Sequence, residues 1–307
     1  MIVRIEQRRP SQSIGELCSL LGYSRQAYYK HLRLEEKQAL EYELLLDQVN
    51  SIRKTQKKIG TRKLLGMLSE FMRLHKITIG RDEFFELFRE KGLLVRKRKR
   101  FKPQTTFSNH YYKRYENLII GFVPTAPNQL WVRDITYIHL EKKFAYLNLI
   151  TDAYSRKIVG FSLFENLSVR GTADALEMAI DNIEKRNEQS PMLIHHSDRG
   201  MQYCSHEYTS LLKQNFIAIS MTQTGDPREN PLAERVNGIL KDELLEEVYP
   251  DFTQARSAVA LSIATYNHQR PHSSVDMLTP FKAHQTSGEL KKHWKTYYKR
   301  RKEVAMT

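Results

Sequence analysis

The spacing of apolar positions changes character near residue 118. Before it the period is helical. Ser13-Ile14-Gly15-Glu16 has the form of a capping box, with Ser at the N-cap and Glu three residues later. Leu17, Leu20 and Leu21 then give one apolar face. Gly22 is placed to end this helix, and Ser24 to cap a second that carries Arg25, Gln26, Tyr29 and Lys30. Two short helices around a Gly turn predict a helix-turn-helix, whose second member could enter a DNA major groove. Such pairs also occur simply as packing units. Leu40, Leu44, Leu45, Val49 and Ile52 predict a further, longer amphipathic helix. Thr61 is expected to cap a helix bearing Leu64, Leu65, Leu68 and Met72. Another is expected over 81–91, with Phe84, Leu87 and Phe88 inward and Gly92 just past its end. Residues 102–115 lack a clear period and read as a linker.

Beyond 118 the pattern is different. Segments 130–139, 144–151 and 157–163 are rich in Val, Ile, Tyr and Phe, are separated by short turns, and predict three consecutive strands. Ser168 can cap a helix bearing Ala173, Leu176, Ile180 and Ile183. A strand at 192–195, a helix from about 205, a strand at 217–220 and a long helix from Pro231 complete the order βββαβαβα. That order predicts a mixed α/β sheet with helices packed on it.

Charge sharpens the division. The 307 residues carry a net charge of +14. Residues 1–115 hold 26 basic and 12 acidic side chains, 116–290 hold 16 and 22, and 291–307 hold 7 and 1. The excess therefore sits in the N-terminal third and the tail, most densely at Arg96-Lys97-Arg98-Lys99-Arg100. A basic segment gains affinity for nucleic acid by releasing condensed counterions, although a solvated basic surface is the plainer alternative. No apolar run approaches the roughly 18 residues a membrane span needs, and no apolar signal region opens the chain. A membrane partner is not expected, and the expected location is cytoplasmic. Cys18 and Cys204 form no CxxC pair, so both read as reduced thiols rather than a disulfide or zinc framework.

Three acids stand where this topology could gather them. Asp134 lies inside the first strand, among β-branched and aromatic residues, where an unpaired acid is costly. Asp198 follows the fourth strand, and strand C-terminal ends are where α/β folds place their sites. Glu234 lies one turn into the last helix. Converging carboxylates repel one another, and divalent metal is the natural compensation. Hard oxygen ligands suit Mg²⁺, two ions for an in-line phosphoryl displacement, with Mn²⁺ as a substitute. Singly, each acid has an ordinary explanation: Asp134 paired with a buried Arg, Asp198 capping a turn, Glu234 on the surface. On a helix starting near Pro231, Asn237 and Lys241 fall three and seven residues after Glu234 on the same face, with Lys241 placed for a phosphate or for a plain surface ion pair.

The motifs are specific in combination. Trp131-Val132-Arg133-Asp134-Ile135-Thr136-Tyr137, Asp152-Ala153-Tyr154-Ser155-Arg156-Lys157-Ile158-Val159-Gly160, His196-Ser197-Asp198-Arg199-Gly200-Met201-Gln202-Tyr203, the stretch 230–243 and Tyr266-Asn267-His268-Gln269-Arg270-Pro271-His272 occur in order, with 35 residues between Asp198 and Glu234. In these the chain resembles transposases of the insertion-sequence-three family, of the DDE type with a retroviral-integrase-like core. Thr279-Pro280 resembles a usual companion of the last motif, and the stretch around Ile59-Gly60-Thr61-Arg62-Lys63-Leu64 a less specific region of the family.

The resemblance implies a ribonuclease-H-like integrase core, a mixed five-stranded sheet with helices, preceded by all-α helix-turn-helix DNA-binding regions. It implies Asp134, Asp198 and Glu234 as the catalytic and metal-binding triad. It further implies cleavage at element ends followed by strand transfer, through a circular intermediate. The expected partners are double-stranded DNA, as terminal inverted repeats and as target, and further copies of the chain, at least a dimer on DNA. An upstream-frame helix-turn-helix protein joins them, since members are often made by a frameshift onto such a product. The setting implied is bacterial and nucleoid-associated. The expected division is a helical or helix-turn-helix region at 1–57, a second at 58–101, a basic linker at 102–117, a catalytic core at 118–285 and a basic tail at 286–307. DNA contacts are expected from Arg25, Lys30, Arg62, Lys63, Arg96, Lys97, Arg98, Lys99, Arg100, Lys241 and Arg270.

Other classes fit less well. A DNA-binding regulator with a dead catalytic fold would have a damaged triad, and a hybrid-cutting nuclease would not need two end-binding regions. His195 and His196 are adjacent on a strand and point to opposite faces, so they cannot easily share a zinc ion. Tyr111-Tyr112 and Tyr297-Tyr298, beside basic residues, could stack on bases or simply pack. A tyrosine recombinase would need an Arg/His cluster that Tyr266, Arg270 and His272 offer only superficially.

Overall fold

A computed structural model describes residues 13–95, 113–223 and 230–291. The Arg96–Arg100 run and both tyrosine pairs lie outside these residues.

The first helix, α1 (Ile14–Leu20), starts with the expected capping box: Ser13 Oγ accepts from the Glu16 N–H, and Glu16 returns a bond to the Ser13 N–H. Ser24 caps α2, its hydroxyl accepting from the Ala27 N–H. Here the expected short second helix and the expected later one prove to be a single helix, Arg25–Thr55, of 31 residues. No Gly or Pro interrupts that stretch, and its middle, His31 to Ala39, is dense in good helix formers. At 1.5 Å per residue it extends about 46 Å. It buries only Tyr28 near its start and Leu45 and Val49 near its end.

The end of α2 packs with α3 (Thr61–Met67), α4 (Ser69–Leu74) and α5 (Arg81–Glu90) around Leu45, Val49, Ile59, Leu64, Leu68, Phe84, Leu87 and Phe88. Two details differ from expectation. Gly60, not Thr61, is the N-cap of α3, and Thr61 is its buried first residue. The helix expected to run from Leu64 through Met72 breaks at Leu68 into α3 and α4.

Five strands follow: β1 (Leu130–His139), β2 (Phe144–Asp152), β3 (Ile158–Phe164), β4 (Leu193–Ser197) and β5 (Ile217–Met221), in the order β3-β2-β1-β4-β5. The first three form an antiparallel meander, and β4 and β5 add in parallel. On one face lie α6 (Val169–Asp181), α7 (Met201–Cys204) and α8 (His206–Gln214), packed over Trp131, Ile150, Leu193 and Ile217. Gly160 lets α6 come close, because a Cβ there would collide with the Ala175 carbonyl oxygen. On the other face lie α9 (Pro231–Ile239), a π turn (Leu240–Leu244) and α10 (Phe252–His268), packed over Ile138, Leu147, Leu149 and Ile158. A last turn, α11 (Pro280–Ala283), is capped by Thr279. Cys18 and Cys204 are free and buried, and no described helix is long and apolar enough to cross a membrane.

Candidate active site

Strand alternation sorts β1 between the two faces. Leu130 and Val132 pack with Ala233 on the α9 side, while Trp131 and Ile135 pack toward α6 to α8. Asp134 therefore turns toward α9 and Arg133 away from it. The β1–β4 ladder pairs Leu130 with Ile194, Trp131 with His195 and Val132 with His196. The same offset carried two residues further sets Asp134 against Asp198, just past the end of β4, on neighbouring strands about 4.8 Å apart. Asp198 Oδ1 accepts from the Gly200 N–H at 3.0 Å. A Cβ at Gly200 would lie 3.1 Å from that oxygen, so a side chain there would crowd the turn.

The helix α9 brings the third acid. Asn230 precedes it and donates from Nδ2 to the Arg133 carbonyl oxygen at 2.7 Å, tying the helix start to β1. Pro231 occupies the first turn, where its missing N–H is tolerated. Ala233, Val236 and Ile239 face the core, which leaves Glu234 exposed at the edge. One turn on, Asn237 Nδ2 donates to Asp134 Oδ2 at 2.7 Å, and the Ile135 N–H donates to Oδ1 at 2.9 Å. Burial raises the Asp134 carboxyl to about 7, the Asp198 charge adds to this and Glu234 contributes more weakly. The bonds from Asn237 and Ile135 oppose the shift. The three acids thus share one electrostatic site. Among the described residues no three His, Cys, Asp or Glu side chains stand together as a ready metal cage. Asp134 bonds the Asn237 amide, and Glu234 is exposed to solvent. The donor set still fits a hard divalent cation: all oxygen, with a negative charge that burial leaves poorly compensated.

Lys241 sits in the π turn, half-buried, with Nζ 5.7 Å from the Tyr137 ring centre. Burial lowers its ammonium to about 8, against the pull of Asp134 and then Asp242. It therefore lies in the field of Asp134, although the long helix expected from Pro231 ends at Ile239 and Lys241 stands in the π turn beyond it. On the opposite face Arg133 is fully buried, with its guanidinium 4.5 and 4.7 Å from the Tyr203 and Tyr208 ring centres. The histidine pair splits as expected: His195 Nε2 meets the Tyr208 hydroxyl and His196 Nδ1 the Ser220 hydroxyl, both at 2.9 Å.

The expected DNA contacts divide. Arg25 and Lys30 are exposed on α2 and line a concave face with Tyr29, Arg33, Leu34 and Lys37. Arg62 is exposed on α3. Arg96, Lys97, Arg98, Lys99 and Arg100 lie outside the described residues. Lys63 and Arg270 are corrected. Arg270 is 1% exposed and grips both oxygens of Glu243, at 2.8 and 2.9 Å. Lys63 Nζ reaches the same two oxygens, at 2.8 and 3.1 Å. Neither turns to a DNA surface. Asn237 stands on the Glu234 face, as its i+3 spacing predicts, and its bond to Asp134 gives it a part that the sequence reading did not assign. Asn230 is a site residue that the reading did not single out.

Residues 124–227 match the family described as Integrase core domain, and 215–280 match a second family of the same description. A protein of Shigella sonnei, the insertion element IS600 uncharacterized 31 kDa protein, is 35% identical over 86% of this chain and 96% of its own length. Transposase InsF for insertion sequence IS3A of Escherichia coli (strain K12) is 26% identical over 91% of this chain and 96% of its own. Among solved structures, the HTLV-2 integrase catalytic core domain in complex with magnesium is 20% identical, with a TM-score of 0.41 over 53% of this chain and 99% of that one. The mixed sheet in the order β3-β2-β1-β4-β5 lies within the residues that match the integrase core domain. The chain belongs to the insertion-sequence-three family of DDE transposases, polynucleotidyl transferases of DNA transposition and integration.

Proposed function

We propose that Asp134, Asp198 and Glu234 are the catalytic acids of this transposase. They would hold divalent metal, two Mg²⁺ ions with Mn²⁺ as a substitute, while the protein cuts the ends of its element and joins them to a target. The observation that carries the reading is the approach of α9 to β1. Asn237 is bonded to Asp134, Asp198 follows the adjacent strand, and Glu234 stands one turn back on the same helix. Bound metal would supply Lewis acidity for an in-line phosphoryl displacement. The protein's part is positioning. Asn237 fixes one Asp134 oxygen, the Gly200 N–H fixes Asp198, and Lys241 is placed to meet a phosphate beside the cut. The exposed basic face of α2, with the helix-turn-helix arrangement of α1 and α2, is suited to duplex DNA. Two element ends must be handled together, so the working species is at least a dimer on DNA, and an upstream-frame helix-turn-helix protein is a further candidate partner. The bacterial nucleoid is where its substrates lie.

Asp134→Asn, Asp198→Asn and Glu234→Gln should each abolish Mg²⁺-dependent cleavage and joining of labelled element-end duplexes while leaving end binding intact. Robust joining by any of the three would sink the assignment.

A further inference from the structure

The correction at Lys63 has a positive side. Glu243 lies in the π turn, two residues after Lys241. Its carboxylate is held from two directions, by the Arg270 guanidinium through two bonds and by Lys63 through two more. Burial alone would raise this carboxyl, but the Arg270 bonds and charge, and then Lys63, hold it at about 2. Arg270 belongs to the catalytic half, beyond α10, whereas Lys63 belongs to α3 in the helical N-terminal part. Further bonds cross the same seam. The Lys58 N–H donates to the Glu243 carbonyl oxygen at 3.3 Å, and Gln56 Nε2 donates to the Gln269 carbonyl oxygen at 3.4 Å. Lys57 pairs with Glu246.

The place of these contacts is telling. A π turn is an uncommon distortion, found most often at functional sites, and this one carries Lys241 to the acidic site. Simple cohesion between two units would be served as well by apolar side chains, because exchanging a whole buried ion pair for well-packed apolar residues is often neutral or stabilising. A carboxylate gripped at both oxygens supplies direction instead, fixing where its turn lies.

We propose that Lys63 is a positioning residue of the transposition reaction: through Glu243, clamped from the far side by Arg270, it locks the helical N-terminal part onto the π turn that carries Lys241. DNA held by the N-terminal helices would then be in fixed register with the acidic site. The inference rests on the reading of Glu234 and Lys241 given under Proposed function.

The test uses the full chain with Lys63→Met and Lys63→Arg. End affinity is measured by anisotropy on an end duplex, joining is timed at saturating pre-cut ends with Mg²⁺, and amide exchange is followed over 240–245. Lys63→Met should slow saturated joining about tenfold, equivalent to roughly 1.4 kcal/mol in the barrier, with end affinity held. It should also speed exchange at 240–245. Lys63→Arg, which can still reach Glu243, should restore both. A loss of end affinity with saturated joining intact would overturn the proposal and return Lys63 to the DNA surface. Unchanged exchange at 240–245, or an Arg variant as defective as the Met variant, would overturn it too. The exchange readout needs no chemistry. If Asp134→Asn still joined DNA, the triad reading would fail while the exchange result stood on its own.

Discussion

The helical N-terminal part and the catalytic half use the same basic side chains in opposite ways. On α2, Arg25, Lys30, Arg33 and Lys37 point outward beside exposed Tyr29 and Leu34. In the catalytic half the most buried cations point inward: Arg133 lies against two tyrosine rings and Arg270 is closed onto Glu243. An exposed guanidinium is available to a phosphate. A buried one is committed to whatever acid or ring offsets its lost hydration. Counting charge locates the basic part of the chain but does not tell these uses apart, and for this reason Lys63, in the basic N-terminal third, looks like a DNA contact in the sequence.

The largest effect that separates the two uses is expected at Arg270. Arg270→Ala leaves the buried Glu243 carboxylate with Lys63 alone, and breaking a buried pair costs about 3–5 kcal/mol. Urea unfolding should show a midpoint shift of that size, with element-end affinity per folded molecule unchanged. A stable variant that binds ends poorly would reverse the distinction.

A slightly smaller effect follows from pH. The Glu243 carboxyl moves from an ordinary 4.5 to about 2 in the fold, under the Arg270 and Lys63 charges. A carboxyl depressed on folding stabilises above its unfolded value and loses that contribution as pH falls through its folded one. The contribution is on the order of 3 kcal/mol at neutral pH. It should fade between about pH 4.5 and 2, the window set by the two values. Calorimetry of the wild type against Glu243→Gln should show the gap in stability closing over that window. A gap that stays constant down to pH 2 would show that the ion cluster contributes nothing titratable.

The strands of the catalytic half were legible because runs rich in Val, Ile, Tyr and Phe between short turns are a local signal. The bounds of β1 agree with the reading 130–139, whereas the pairing of β1 with β4 that brings Asp134 near Asp198 is a fact of the sheet order, which the chain order of elements does not fix. The helices were less legible. The 31 residues of α2 carry a narrow apolar stripe, buried only near its ends, so its middle left no core-facing signal to join the two segments. The helix α10 was missed although Asp251 caps it and Ala255, Val259 and Ile263 recur every fourth residue on its buried face. The π turn carries apolar Leu240 and Leu244 as an ordinary helix would, so the pattern does not mark where the α-helix gives way. The partners of Glu243 lie 27 and 180 positions away, and only tertiary packing brings them together.

Lys241 tests the comparison at its boundary, since it is half-buried and also beside the acidic site. Lys241→Ala should slow joining of pre-cleaved ends by the worth of one charge-assisted hydrogen bond, roughly 1.5–3 kcal/mol, and leave initial end binding nearly unchanged. An unchanged joining rate would assign Lys241 to structure, as a cation packed on the Tyr137 ring.

The smallest effects belong to the outward cations, and their salt dependence makes them readable. Arg25 and Lys30 lie in the first two turns of α2, where the Gly22 turn and the Ser24 cap fix the helix start, and both are exposed. If each neutralises one phosphate, each releases about one counterion, so the slope of log affinity against log salt should shrink by about 0.9 for each of Arg25→Ala and Lys30→Ala. The affinity loss should be modest at high salt and grow as salt falls, because screening weakens an exposed charge contact. It should also be alike on element ends and unrelated duplex, since phosphate contacts carry no sequence information. A loss confined to element ends at Arg25 would identify a base contact instead, as an arginine reading a guanine in the major groove would produce. A slope and affinity unchanged in both variants would mean that this face of α2 does not meet DNA, and that the positive charge of the N-terminal third acts elsewhere.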